Sequence, residues 1–272
     1  MHVNQAQSRS HAHIHQLHSE DRVVNDVSEE ASLQAMLKTG GGYSSAPGVL
    51  ASYTHGAVSL PYDQCTPRRV ESMLSDEVIP FMVDFKDRML LSDAELGAVF
   101  QNTELPGCYV DPILEHDPVQ YAGFVADMYR CKLVRFDVTP VSKCGLFFVS
   151  KKPKPDGTVR LRLVIDARRS NRLFRKPPWC PLSSGESLAR MEISGTCYTA
   201  QEDVKDFFYR LGIGPELARY FGLPPVRVGL LVEALGSEAP SELLGMDPGS
   251  TFSPCLSVLP MGFSWAFWVA SF

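Results

Sequence analysis

Residues 145–166 read GLFFVSKKPKPDGTVRLRLVID, and this stretch constrains the fold more tightly than any other part of the chain. Gly145 to Ser150 is a short apolar and aromatic run. Pro155-Asp156-Gly157 is a strong turn signal, since Pro presets one torsion and Gly accepts a positive φ. Val159 to Asp166 then returns as a second strand rich in branched residues. The result is a hairpin with lysines at its tip and arginines on its second arm. Further on, Cys197 to Val204 reads as a buried strand that ends on the carboxylate of Asp203.

The charge distribution singles out the same stretch. The whole chain carries a formal net charge of −5 over 272 residues. Between Lys143 and Lys176, eleven Lys and Arg face only Asp156 and Asp166, a local +9 that leaves −14 for the remainder. Such asymmetry marks a basic surface on an acidic body, suited to phosphates. Taken alone it is also what a solvated charged hairpin looks like. Seven cysteines are scattered without a CxxC pair or zinc-ligand spacing, which favours reduced thiols in an intracellular protein. No stretch reaches the roughly 18 apolar residues that span a bilayer, so no membrane partner is expected.

The rest of the chain divides by composition. Residues 1–60, rich in His, Ser, Gln and Gly, read as a disordered polar tail. Residues 61–131 form a helical lead-in. Thr66-Pro67 is a cap and first-turn proline, with apolar residues at helical spacing through Met89. Ser92 to Glu95 is a capping box, and Asp117-Pro118 opens a further helix to about Cys131. Residues 132–200 hold the hairpin and a short helix over Ser183 to Met191. Residues 201–272 hold a helical turn at Pro215 to Tyr220, an insertion-like Leu223 to Ser253, a strand within Thr251 to Leu259 and a helix from Ser264. The fold class is α+β.

Phosphoryl transfer from a nucleoside triphosphate needs carboxylates to hold divalent cations and cationic side chains to cradle the phosphates. Asp203, at a buried strand end, is costly unless paired, and a metal offsets that cost; taken alone, it reads first as a strand-end cap or a salt-bridge partner. Lys151, Lys152 and Arg162 lie on the hairpin, which can fold over a nucleotide. Gly262, after Pro260-Met261, lets backbone approach a ligand or template closely.

Three motifs in one order resemble the fingers and palm of reverse transcriptases from retrotransposons and retroviruses. FFVSKKPKPDG followed by RLVIDARRSN is similar to that family's FFVKK, DG and RLVIDxRxxN. EDVKDFFYRL is similar to DLKDAFF, and LPMGFSWAFWVASF to LPFGLxxAPxxF. The resemblance covers about residues 140–272 and implies a nucleotidyltransferase, an RNA-directed DNA polymerase. It would use Mg²⁺, deoxynucleoside triphosphates and an RNA or DNA template-primer. By position it implies that Asp203 is the first metal-binding aspartate and the Val204 carbonyl a backbone metal ligand. Phe208 would abut the sugar and exclude a 2′-hydroxyl. Arg162 with Lys151 or Lys152 would contact the triphosphate, Lys154 being a further candidate. Met261 and Gly262 would border nucleotide and template, while Asp166, Asn171 and Asp206 would be structural.

The family's Tyr-x-Asp-Asp hairpin has no counterpart, because the sequence contains no Asp-Asp pair. The expectation is therefore an N-terminal fragment with fingers and an incomplete palm, truncated before that hairpin and inactive as it stands. The alternative is a decayed, non-catalytic retroelement remnant that binds nucleic acid at most. The apolar run SWAFWVASF is expected to leave hydrophobic surface exposed.

Overall fold

The alternation of RLRLVID builds the central sheet. The computed structural model describes residues 50–62, 66–100, 105, 107–153, 155–180 and 204–271. Strand β1 (Leu50–Ala51), β2 (Gly145–Lys151) and β3 (Arg160–Asp166) form an antiparallel sheet in that spatial order. The β2–β3 register runs from Gly145 opposite Asp166 to Lys151 opposite Arg160. Because side chains alternate across a strand, Leu161, Leu163 and Ile165 are buried together with Leu146 and Phe148. Arg160 and Arg162 take the opposite face, Arg162 across from Val149. Ala57 and Ser59 hydrogen-bond Leu161 on the outer edge of β3. The expected hairpin and its turn are thus present.

Composition places residues 50–60 in the polar tail, yet they enter the core. Tyr53 packs on Phe124 and Phe148, with ring centroids 5.4 Å apart in each case. Phe124 comes from helix α1 (Pro118–Arg130), whose entry is fixed as the sequence indicates. The Asp117 carboxylate accepts from the amides of Val119 and Gln120, and Pro118 takes the first turn. Helix α2 (Val228–Leu235) packs against α1. Its segment is closed by antiparallel pairing of Val226–Arg227 with Thr251–Phe252, so the insertion-like stretch is a helical excursion tied at its base.

The region from Thr66 to Met89 departs from the expected single helix. Arg68–Arg69 pairs in parallel with Leu211–Gly212. A 3₁₀ turn at Val70–Ser72 and two short helices, Ile79–Val83 and Phe85–Arg88, follow. Asp84 leaves the helical region at φ −100° and ψ 33°, dividing the last two. Apolar spacing here satisfies a helical period, but tertiary strand pairing takes the first residues instead.

The capping box at Ser92 forms as expected, with the Ser92 amide donating to Glu95 Oε2 at 2.7 Å at the start of helix Asp93–Phe100. Glu95 also pairs with Arg175 at 2.8 Å. Chiefly that Arg175 bond, and then the Ser92 donors, hold its carboxyl down from 4.5 to about 2. Ion pairing of a depressed carboxylate stabilises the fold above its ordinary value and fades as pH falls towards the folded value. Glu95→Gln is therefore expected to lose less stability than the native protein between about pH 4.5 and 2. Denaturation midpoints measured across that window check it.

Apolar residues near the end of the described chain are packed, contrary to expectation. Trp265, Ala266, Trp268 and Val269 are buried, and only Phe267 among them is largely exposed, at 52%. Trp265 donates from Nε1 to the carbonyl of Arg175 at 2.7 Å and packs against Phe81 and Trp268. All described residues belong to one compact unit, Gly48–Phe272, of mixed helix and small sheets. None of their helices is long and apolar enough to cross a membrane.

Candidate functional site

A cavity of about 440 Å³ opens against β3. Three stretches supply most of its wall, with Ser59, Met128 and Leu133 adding to it. The hairpin contributes Lys151, Arg162, Leu163 and Ile165; the segment after Asp203 contributes Val204 to Tyr209; and Leu256 to Met261 close it. Local geometry explains each placement. The pleat of β3 turns Arg162 away from the core. Asp206 adopts the left-handed region, φ 56° and ψ 33°, and sends the chain into the 3₁₀ turn Phe207–Arg210. Leu211 and Leu259 are joined by a 2.8 Å backbone hydrogen bond, and Ile213 and Ser257 by one of 2.9 Å, which fixes the second and third stretches together.

The wall is positively charged. Lys151, Arg162 and Lys205 face one carboxylate among the described lining residues, Asp206. Partial burial pushes the Lys151 ammonium below its ordinary value, and repulsion from Arg160 and Arg162 adds to this while Asp206 opposes it. Burial raises the Tyr209 phenol, with Asp206 adding to the rise. A partly desolvated Lys beside an Arg gains strongly from a bound anion, because both desolvation and repulsion are then compensated.

Of the residues singled out from the sequence, Lys151, Arg162, Val204, Phe208 and Met261 all line this one cavity. Phe208 is half-buried, edge-on to Phe207 at 5.5 Å. Lys152 is exposed beyond the end of β2 and is not part of the wall. Gly262 is not part of it either. At φ +123° its missing Cβ would lie 2.6 Å from the carbonyl oxygen of Ile165, so its close approach is to the protein's own β3. Asp203, Lys154, the helix expected over Ser183 to Met191 and nearly all of the strand expected over Cys197 to Val204 lie outside the described residues. Val204, the last of that strand, is exposed.

The residues expected to be structural behave accordingly at two positions. Asp166 accepts from the Tyr109 amide at 2.9 Å and from Arg168 Nε and Nη2 at 2.8 and 2.7 Å. The Arg168 bonds are the main cause of its lowered carboxyl pKa. Asn171 donates to the Gly262 carbonyl and accepts from the Ser264 amide, each at 2.9 Å, clamping the loop that carries Met261.

Sequence reasoning misses Lys205, Phe207 and Tyr209 as wall residues and treats Asp206 as structural. Their adjacency in KDFFYR is the available signal. Among the described residues no group of three His, Cys, Asp or Glu is placed to hold a metal ion. Asp206 alone does not fit a Mg²⁺ centre, and the Mg²⁺ ligand implied by the resemblance, Asp203, lies outside the described residues. Comparison with protein-family models, curated proteins and solved structures finds no match for this chain.

Proposed function

We propose that the cavity beside β3 receives the triphosphate of a deoxynucleotide, and that the chain is a reverse-transcriptase-domain protein with fingers and part of a palm. One observation carries the reading. Five positions chosen from sequence motifs, Lys151, Arg162, Val204, Phe208 and Met261, converge on a single positively charged cavity although they come from three distant stretches. Arg162 supplies a forked donor set for phosphate oxygens and Lys151 a point charge. Phe208 presents a bulky edge where a sugar would lie. Template-directed DNA synthesis with Mg²⁺ and a template-primer belongs to the family that the motifs resemble. For this chain, whose sequence has no Asp-Asp pair, the reading extends to nucleotide binding in an intracellular setting.

Calorimetric titration of dATP tests it. Arg162→Ala should weaken binding about tenfold to a hundredfold, as expected for loss of a charge-assisted bidentate contact. Phe208→Val should bring ATP closer to dATP in affinity. Equal dATP binding by the native protein and Arg162→Ala would contradict the proposal.

A further inference from the structure

We propose that Asp206 is a built-in counter-ion of this cavity: its carboxylate neutralises part of the Lys151, Arg162 and Lys205 cluster and gives way to a polyphosphate, so that it sets which anions the cavity accepts. The inference rests on the anion-binding reading above and adds a specificity-determining residue to it.

Two independent observations single out Asp206. The first is its backbone. With φ 56° and ψ 33° it is one of only two non-glycine residues at positive φ among the described residues, the other being Lys132. Such a conformation costs on the order of 1 kcal/mol or more and concentrates at functional sites. It directs the chain so that residues 204–209 form one wall.

The second is its bonding. Three structural aspartates among the described residues each accept several donors. Asp111 accepts from the amides of Tyr53, Ile113 and Leu114. Asp117 accepts from Val119, Gln120 and the Gln120 amide side chain. Asp166 is bound by Tyr109 and Arg168. The Asp206 side chain is 15% exposed, yet its one ion pair among the described residues is a loose 3.9 Å contact with Lys205 Nζ. A carboxylate that is well covered, weakly bonded and lines the same cavity as Lys151, Arg162 and Lys205 is placed to be exchanged for another anion. A single negative charge leaves the three cations undercompensated, whereas a triphosphate supplies the missing charge. Small monoanions gain too little to displace it.

The test is titration of inorganic tripolyphosphate and inorganic phosphate, without divalent metal, into the native protein, Asp206→Asn and Asp206→Gly. Asn keeps the side-chain shape and tolerates the left-handed region, while Gly also removes the torsional cost. Both variants should bind tripolyphosphate about fivefold tighter or more, from loss of the competing charge. Inorganic phosphate, which cannot displace the carboxylate, should gain by a larger factor; equal gains would remove the role in anion choice. Unchanged or weaker binding in both variants overturns the proposal. Tightening in Asp206→Gly alone overturns it too, because torsion rather than charge would then be responsible. If the inorganic anions respond as expected but dATP does not bind, the nucleotide reading fails and the counter-ion role stands. If no anion binds any of the three proteins, both fall.

Discussion

Gly262→Ala should destabilise the protein by about 3 kcal/mol or more, combining a left-handed torsion with an overlap that the backbone must move to relieve. At φ +123° an L side chain is strained whatever the space around it, and here there is none: the added Cβ meets the Ile165 carbonyl at 2.6 Å. That carbonyl is part of β3, and the Asn171 side chain clamps the same loop through Gly262 and Ser264. Relief therefore requires shifting either the edge of the sheet or the Met261 loop, each a wall of the cavity. Gly236→Ala is the matched control. Its φ is +58° and its ψ −127°, also a glycine-favouring conformation, but no atom lies within 4 Å of the added Cβ. It therefore reports a torsional cost of about 1–3 kcal/mol without overlap. Urea unfolding of the two variants separates strain from overlap. Equal effects would mean that Gly262 is not wedged against β3.

Trp265→Ala should cost about 3–5 kcal/mol, the range for truncating a large buried aromatic. Trp265 is 1% exposed and packs on Phe81 and Trp268, while its indole nitrogen binds the Arg175 carbonyl. Arg175 in turn pairs with Glu95 and donates from Nη1 to the Asp87 carbonyl. One side chain thus ties the helix Ala266–Ala270 to both short helices of the lead-in and to the capping box. Trp265→Phe keeps most of the burial but removes the donor, and should cost about 1 kcal/mol from the hydrogen bond beyond the small change in packing. A near-neutral Trp265→Ala would mean that the apolar run lies at the surface, as composition alone suggests.

Elements governed by strong local rules are legible in the sequence. The hairpin is readable because an apolar run, a branched-residue run and the Pro155-Asp156-Gly157 turn between them agree, and helix α1 because Asp117 and Pro118 open it. Thr66 to Met89 is not readable in this way. Its apolar spacing fits a helix, but Arg68–Arg69 is claimed by a distant partner, Leu211–Gly212, and no local signal encodes that pairing. Leu50 to Leu60 is masked by its polar surroundings, since its buried residues, Tyr53, Val58 and Leu60, are too few to show a period.

The candidate site divides in the same way. Arg162 is legible from strand alternation and Phe208 from its motif, and both line the cavity. Gly262 is expected to let backbone approach a ligand or template, whereas the group it approaches is the Ile165 carbonyl, which sequence alone cannot say. The left-handed torsion of Asp206 has no sequence signature. Its weakly bonded carboxylate stands out only beside Asp111, Asp117 and Asp166 in the folded chain. The apolar floor formed by Leu256 and Val258 depends on the long-range ladder with Leu211 and Ile213, so it too is a tertiary product.

The most direct test of the central claim is amide hydrogen exchange with and without saturating dATP. A triphosphate seated between the hairpin, the Asp206 turn and the Met261 loop predicts slowed exchange in residues 160–165, 205–213 and 256–263 together. It also predicts that this slowing disappears in Arg162→Ala. Exchange unchanged in all three stretches, or slowed only elsewhere, would contradict the account.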